Sequence, residues 1–470
     1  MRALSVHGHF YQPSREDPLT GAIPREIGAS PFPNWNERIH AECYRPNAEL
    51  HNFEQISFNL GPTLSAWMDV HDPETARQIV EQDQVNVRRF GVGNAMAQAY
   101  NHTILPLASP HDQAIQVYWG IADFRHRYGR MPQGMWLPET AVDMPTLETL
   151  ACHGIQFTIL APWQADLENL DVTEPYTVVL PEQRKMAVFF YHSELSAKVS
   201  FDPSATVNAD KFAEYILQSH FNPEKTRTGD PQLLLLASDG ELYGHHQRQR
   251  DHFLRRLVDG ASSSLGIEPT FPALWLKDHP PRYSVKIREG TSWSCHHGVG
   301  RWTGACACTP GDGSWKAQLR YAFERLASAL DHIYLEATNR LFSNPWELHT
   351  RYIHVMLGEI GAGDLIQGMA ERALTSAEIN RVSLLLEAQR HRQRLFTSCG
   401  FYFEDFDRIE PRNNVAYAAQ AVRLARLATG IDLEGEVSDD LRRVVSKHSG
   451  LDAAHVFQRQ LRRAEELSAA

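Results

Sequence analysis

Residues 232–246 read QLLLLASDGELYGHH, and this stretch constrains both the fold and the chemistry. Four consecutive leucines leave no polar face for water, so the strand that carries them must be covered on both sides. That is the signature of a parallel sheet wrapped by helices. The run then empties into Asp239-Gly240-Glu241 and Gly244-His245-His246. An Asp-Gly turn with a helix cap accounts for Asp239 and Gly240, but not for the convergence of Glu241 and His245 behind them. In parallel barrels, polar residues that directly follow a buried strand are where active sites collect.

Working outward, further short apolar runs are expected to be strands at Ala3–His9, Gln55–Asn59, Asn86–Gly91, Gln133–Leu137, Ile155–Leu160, Ala187–Tyr191 and Tyr283–Ile287. Amphipathic stretches such as Asp112–Tyr128 separate them, with Ile115, Trp119, Ala122 and Phe124 near helical spacing. Alternating strand and helix fits a (β/α) barrel over residues 1–290, with an open doubly wound sheet as the second choice. Residues 291–314 form a loop rich in Gly, Cys, His and Trp. From 315 to 470 the pattern is helical, with long helices expected at Trp315–Ala337, Thr375–Phe396 and Asn413–Gly430.

Composition excludes several function classes. Hydrophobic residues make up 43% and charged residues 22%, ordinary for a folded soluble chain. A net charge of −11 and no Lys/Arg-rich block argue against nucleic acid as a partner. No run reaches the 18 or so apolar residues of a membrane span. The opening MRALSVHGHFYQP lacks the apolar core of a signal peptide, and six cysteines are too few for a disulfide scaffold. A soluble cytoplasmic protein is expected.

Two other strand ends carry chemistry. Ser5-Val6-His7-Gly8-His9 places two histidines on one face of a strand. Such a pair is either half of a metal site or a device for orienting a sugar hydroxyl. Gly134-Met135-Trp136-Leu137-Pro138-Glu139 puts a carboxylate just past an apolar run beside an indole. Glu139 is either a functional group or a first-turn acid of the next helix. Carboxylates on two strand ends are what glycosidic bond cleavage needs, one to attack the anomeric carbon and one to move the proton. No G-x-S-x-G elbow, Walker loop or H-E-x-x-H is present, and Gly91-Val92-Gly93 lacks the third glycine of a dinucleotide fingerprint.

At these residues the sequence resembles glycoside hydrolase family 57, retaining enzymes acting mainly on α-glucans. His7-x-His9 with Tyr11-Gln12-Pro13 resembles the family's first region. Asn101-His102-Thr103-Ile104-Leu105-Pro106-Leu107 resembles its H-P-I-L-P-L stretch, with Thr103 in place of proline. Gly134–Glu139 resembles the region of the nucleophile and Asp239–His245 that of the general acid/base. The resemblance covers roughly residues 1 to 290, in the family's order. It implies an incomplete (β/α)7 barrel followed by a helical region. It also implies Glu139 as nucleophile, Asp239 as acid/base, and an oligo- or polysaccharide substrate. His7, His9, His102, Glu241 and His245 are then expected to hold substrate hydroxyls and the carboxylates, with Trp136 as the pocket wall. Hydrolysis, glucanotransfer and branching are all compatible. The chain departs from the family at Gly93-Asn94-Ala95-Met96, where methionine stands in place of the usual acid, and the loop Ser292–Trp302 marks a distinct branch.

In that loop, Trp293 and Trp302 are expected to offer faces for sugar rings. Cys295, His296, His297, Cys306 and Cys308 offer soft ligands, but Cys306-x-Cys308 is tighter than the usual zinc spacing. A glycine-rich substrate loop with reduced thiols, without metal or cofactor, is the expectation. Two rival functions remain open: a metal-dependent polysaccharide deacetylase, and a carbohydrate-binding protein without turnover.

Overall fold

The computed structural model describes residues 1–469. Its central strand is β1 (Arg2–Phe10), buried along nearly its whole length. The others are β2 (Ser57–Leu60), β3 (Ala95–Gln98), β4 (Met135–Trp136), β5 (Phe157–Leu160), β6 (Tyr176–Val179), β7 (Lys185–Phe190), β8 (Gln232–Asp239), β9 (Glu268–Pro269) and β10 (Tyr283–Ser284). Parallel pairing runs β4-β3-β2-β1-β8, and the short β9 pairs with the start of β1. A parallel bridge from Gly134 to Phe157 carries the order on to β5, which pairs in parallel with β7. Between β7 and β8 the described residues form no ladder; His192 N–H donates to Leu235 O at 2.7 Å across the gap. The antiparallel hairpin of β6 on β7 and the edge strand β10 complete the second sheet. The result is a curled, incompletely closed set of seven parallel strands, besides the two-residue β9, with helices between them.

The leucine run behaves as its composition requires. Leu233, Leu235 and Ala237 enter the same core as Phe157, Ile159, Phe189 and Trp136. Leu234 and Leu236, facing the other way, are equally buried. Full burial of such a side chain contributes about 1.5–3 kcal/mol, which fixes the register of β8 against β1. Period-two alternation then places His7 and His9 on the same side of β1 as Ala3, which belongs to that core. Register aligns the strand ends: His9 lies opposite Asp239 of β8 and Asn59 of β2.

One expected strand is corrected. Asn86–Gly91 is the end of an 18-residue helix, Pro73–Phe90, closed by Gly91 in the left-handed region at φ 75°. Asp72 caps its start by accepting from Thr75 N–H at 3.2 Å. The strand of this unit is β3, a few residues later. Strands β6 and β9 were not foreseen, and the expected Tyr283–Ile287 is shortened to β10.

The chain packs into two compact units. The first comprises residues 1–14, 25–100 and 124–293 and holds all ten strands. The second comprises residues 15–24, 101–123 and 294 onward, so two excursions from the barrel sequence cluster with the C-terminal region. Its long helices are Ser314–Thr338, Ser376–Arg394, Ile409–Thr429 and Ala453–Ala469, the first three near their expected bounds. Thr375 and Glu378 form a reciprocal capping box at the start of the second. Within this unit the buried Arg392 bridges Asp112 and Asp331. No helix among the described residues is long and apolar enough to cross a membrane.

Candidate active site

The site grows from the C-terminal ends of the strands in the first unit. The β1 histidines share one amide. Asn59 Nδ2–H donates to Gln98 Oε1 at 2.8 Å and to His9 Nδ1 at 3.0 Å. Asn59 Oδ1 accepts from His7 Nε2–H at 3.2 Å, and Ser57 Oγ–H reaches His7 Nδ1 at 2.9 Å. This assignment gives both Asn59 Nδ2 hydrogens and His7 Nε2–H an acceptor and puts the proton of each neutral ring on Nε2. Burial, with the neighbouring His9 charge next, pushes His7 down to about 3; burial likewise lowers His9 to about 4. Both rings are therefore neutral at physiological pH. They stack on Trp136, with centroids at 4.6 Å for His7 and 5.2 Å for His9. Trp136 is fully buried, so it shapes the wall from behind the histidines. Met96 of β3 lies beneath, its sulfur 3.7 Å from Ser57 Oγ, as part of the apolar core.

Glu139 sits in an unusual turn. Its backbone is left-handed at φ 59°, and Thr140 follows at φ 47°. A β-branched residue avoids that region, and strain of this sort costs roughly 1–3 kcal/mol per residue. Gln164 holds the turn: its Nε2–H donates to Thr140 O, and its Oε1 accepts from Thr140 Oγ1–H, both at 2.8 Å. The next helix, Met144–Cys152, has its own N-cap in Asp143, which removes the reading of Glu139 as a first-turn acid. Trp293 fixes Glu139 twice: its backbone N–H donates to Glu139 O at 3.0 Å, and its indole N–H to Glu139 Oε2 at 2.9 Å. Trp293 also meets Trp136 edge-on at 5.1 Å, so the two indoles form a corner around the carboxylate.

Asp239 ends β8 with its side chain open to solvent at the strand's mouth, unlike the rest of the strand. Dense protein around the carboxyl removes much of its hydration, and the charge of Glu139 adds to this; together they push it up to about 7. Two carboxyls on separate strand ends thus sense each other, and one of them holds a proton near neutrality.

Glu241 serves a different purpose. It is buried, and its Oε1 accepts from Tyr44 O–H at 2.6 Å and from Tyr11 N–H at 3.1 Å. Gln12 Nε2–H donates to Tyr44 Oη at 3.1 Å. Burial raises Glu241 to about 8, with the Asp239 charge also raising it against the opposing Tyr44 bond. The folded chain therefore binds a proton here that the unfolded chain releases above its ordinary carboxylate range. The sign follows: stability from this group is present below about pH 4.3 and declines as pH rises toward 8. Glu241→Gln keeps the acceptor and removes the titration. Urea unfolding of this variant between pH 5 and 8 is expected to lose about one proton's worth of the wild-type pH slope. An unchanged slope would contradict the assignment.

His245 pairs with Glu42 through Nδ1 at 2.5 Å and meets Trp35 edge-on. Gly244 makes this approach possible, since a Cβ there would lie 2.2 Å from the Glu42 carbonyl oxygen. His102 and Trp302 belong to the second unit. His102, at φ 54°, is buried with Nδ1 at 2.5 Å from Ser398 Oγ. Trp302 is 1% exposed and packs near Tyr402, so it offers no open face to a sugar ring, contrary to expectation. Residues that the sequence does not single out are Asn59 and Gln98, in the last two positions of their strands, and Tyr44 and Gln164; Tyr11 is named only as part of the first region.

With this geometry the chain can be set beside known proteins. The sequence profile of Glycosyl hydrolase family 57 matches residues 22–288, more than half the chain, and the chain belongs to that family. Residues 312–466 match a profile described as Domain of unknown function (DUF3536). Among solved structures, an exo-type maltose-forming amylase from Pyrococcus sp. ST04 superposes with a TM-score of 0.77 at 18% identity, covering 98% of this chain and 88% of that one. A family 57-type branching enzyme from Pyrococcus horikoshii gives 0.61 at 15% identity, over 99% and 94% of the two chains. These likenesses establish the incomplete seven-stranded barrel and its helical extension. Alpha-amylase 1 of Dictyoglomus thermophilum is 23% identical over 215 residues, 44% of this chain. The match spans 29% of that protein's length.

Proposed function

We propose that this chain is a retaining α-glucan hydrolase or transglycosylase. Glu139 attacks the anomeric carbon and forms a covalent glycosyl-enzyme. Asp239 gives its proton to the leaving oxygen, then takes one from water or from an acceptor sugar hydroxyl. The observation that carries this reading is the pair itself: two carboxyls at the ends of β4 and β8, with the charge of Glu139 helping to keep the proton on Asp239. A nucleophile held by the Trp293 indole and an acid titrating near 7 are the two unequal carboxyls that retention requires.

The neighbouring groups fit the same role. Neutral His9, with its proton on Nε2, is a donor for a sugar oxygen, and the Trp136–Trp293 corner excludes water from the reacting face. An α-glucan substrate is supported by family membership and by the amylases and the branching enzyme that the chain resembles. The deacetylase alternative needs His7 and His9 as metal ligands. Their commitment to Asn59, Ser57 and the Trp136 face favours positioning instead. None of the six cysteines is in a disulfide, which fits a reducing, cytoplasmic setting.

The test is intact-protein mass spectrometry of wild type and Asp239→Ala incubated with α-maltosyl fluoride. Fluoride leaves without acid help, so Asp239→Ala is expected to accumulate an adduct of glycosyl mass that maps to Glu139. No adduct and no turnover on any maltooligosaccharide would overturn the proposal.

A further inference from the structure

The loop that follows the barrel sequence gathers four soft ligands in one place. Cys295 Sγ lies 3.6 Å from Cys306 Sγ. His297 Nδ1 lies 3.3 Å from Cys306 Sγ and 3.4 Å from Cys308 Sγ. All four donor atoms fall within 4.8 Å of one another. We infer that Cys295, His297, Cys306 and Cys308 form a mononuclear, tetrahedral zinc site that ties together the loop of residues 294–313 in the second unit.

The spacing carries the argument. Thiolates at about 2.3 Å and an imidazole at about 2.0 Å from one ion stand about 3.5–3.8 Å apart at the corners of a tetrahedron. The Cys295–Cys306 distance of 3.6 Å falls in that range, the two His297 distances of 3.3 and 3.4 Å lie just below it, and the remaining pairs stay within 4.8 Å. A disulfide would need only two of the sulfurs at bonding distance. Here a third sulfur and a ring nitrogen join them, and none of these cysteines is in a disulfide. An iron–sulfur cluster would hold its thiolates around several metal atoms, farther apart than a single ion allows. The sequence pattern is two pairs with one intervening residue, Cys295-x-His297 and Cys306-x-Cys308. That is tighter than the common zinc spacing, and so it escapes a search by motif.

The surroundings complement the charge of such a site. Three thiolates on a divalent ion leave one net negative charge. Lys316 is fully buried, with its Nζ donating to Arg301 O at 3.1 Å, Tyr402 O at 3.3 Å and Thr309 Oγ1 at 3.5 Å. Burial and the Arg301 charge disfavour its ammonium form, and Cys306, Cys295 and Glu404 lie close enough for negative charge to favour it. A buried ammonium needs compensating anions, and a thiolate-rich metal centre adds one to Glu404. His296 N–H donates to Cys308 Sγ at 3.3 Å, the kind of amide contact that stabilises a metal thiolate. Arg301 ties the loop by donating to Cys308 O at 2.7 Å. Four protein ligands leave no open position, so the ion is structural: it folds a loop that has few apolar residues to bury.

Metal analysis of the full-length chain, purified from zinc-supplemented culture, tests this directly. About one zinc per chain is expected, released stoichiometrically by an organomercurial that titrates the thiolates. Anaerobic exchange with cobalt(II) should give the intense visible bands of a tetrahedral ion with near-ultraviolet thiolate charge transfer. His297→Ala is expected to shift those bands. Cys306→Ser and Cys308→Ser are each expected to lower bound zinc below about a tenth of an ion per chain. The wild-type zinc and cobalt measurements stand even if a cysteine variant fails to fold. Wild-type zinc below about a tenth per chain after both growth and reconstitution, an octahedral cobalt spectrum, or a Cys295–Cys306 disulfide in metal-free protein would each overturn the inference.

Discussion

Replacing Glu139 with alanine is expected to lower turnover of a maltooligosaccharide about 10⁴-fold, because the covalent step then has no nucleophile. The chemistry of rescue is more informative than the loss. Azide fits the space left by the carboxylate and attacks an activated α-glycosyl fluoride from the face that Glu139 occupied. The product is a β-glycosyl azide, opposite in configuration to the substrate. Only a residue lying on the nucleophilic face gives that result. The variant also abandons a strained position: an alanine is relieved of the indole contact but still sits at φ 59°. Glu139→Gln therefore accompanies it, since the amide retains an oxygen for the Trp293 N–H. Both variants should keep glucan binding within about threefold, because the lost interaction belongs to the transition state. Activity near wild type in either would eliminate the covalent mechanism. A non-catalytic binding protein predicts instead that wild type itself shows no turnover.

What the sequence disclosed about this site follows from how each part is encoded. Strands buried on both faces must be uniformly apolar, so Leu233–Leu236 and the Ala3–His9 run were legible, and the strand-end rule then pointed to Asp239, His7 and His9. The same rule covers Asn59, which lies one residue before the end of β2. Gln98 escapes because the apolar pattern points to a third strand at Asn86–Gly91. There Val87 and Phe90 mimic a short apolar run, whereas the true strand, Ala95–Gln98, is short and weakly β-prone. The helix signals were present nonetheless, in Asp72-Pro73 at one end and Gly91 at the other. Tyr44 could not be read at all, since it meets Glu241 across 197 residues of chain. Nor could the left-handed turn at Glu139, which depends on Gln164 reaching back to Thr140. Aromatic content alone does not tell an open ring from a buried one, so the sequence does not separate buried Trp302 from partly buried Trp293. The cysteine loop shows the same limit: its composition was visible, but the convergence of four donor atoms was not.

Asp239→Ala is expected to divide substrates by their leaving group. With an unactivated maltooligosaccharide, whose departing oxygen needs a proton, kcat/KM should fall about 10³-fold. With α-maltosyl fluoride the first step needs no acid, so glycosylation should proceed within about tenfold of wild type. Deglycosylation, which needs a base, then limits turnover and KM falls with kcat. Azide attacks this trapped intermediate without base help and should yield the α-glycosyl azide, the opposite anomer to that from Glu139→Ala. The pair of products assigns the two roles independently of any rate. The pH profile supplies a second check with a definite sign. Asp239 must be protonated for glycosylation, and its folded value lies near 7, so wild-type kcat/KM is expected to decline as pH rises through that region. In the empty cleft the carboxyl still touches water, which screens it from Glu139 and places the limb of kcat/KM at or below 7. A seated sugar displaces that water, strengthens both burial and the influence of Glu139, and moves the limb of kcat upward. Asp239→Asn should abolish the limb for both parameters. A basic limb that persists in Asp239→Asn would assign the proton to another group and remove Asp239 from the acid/base role.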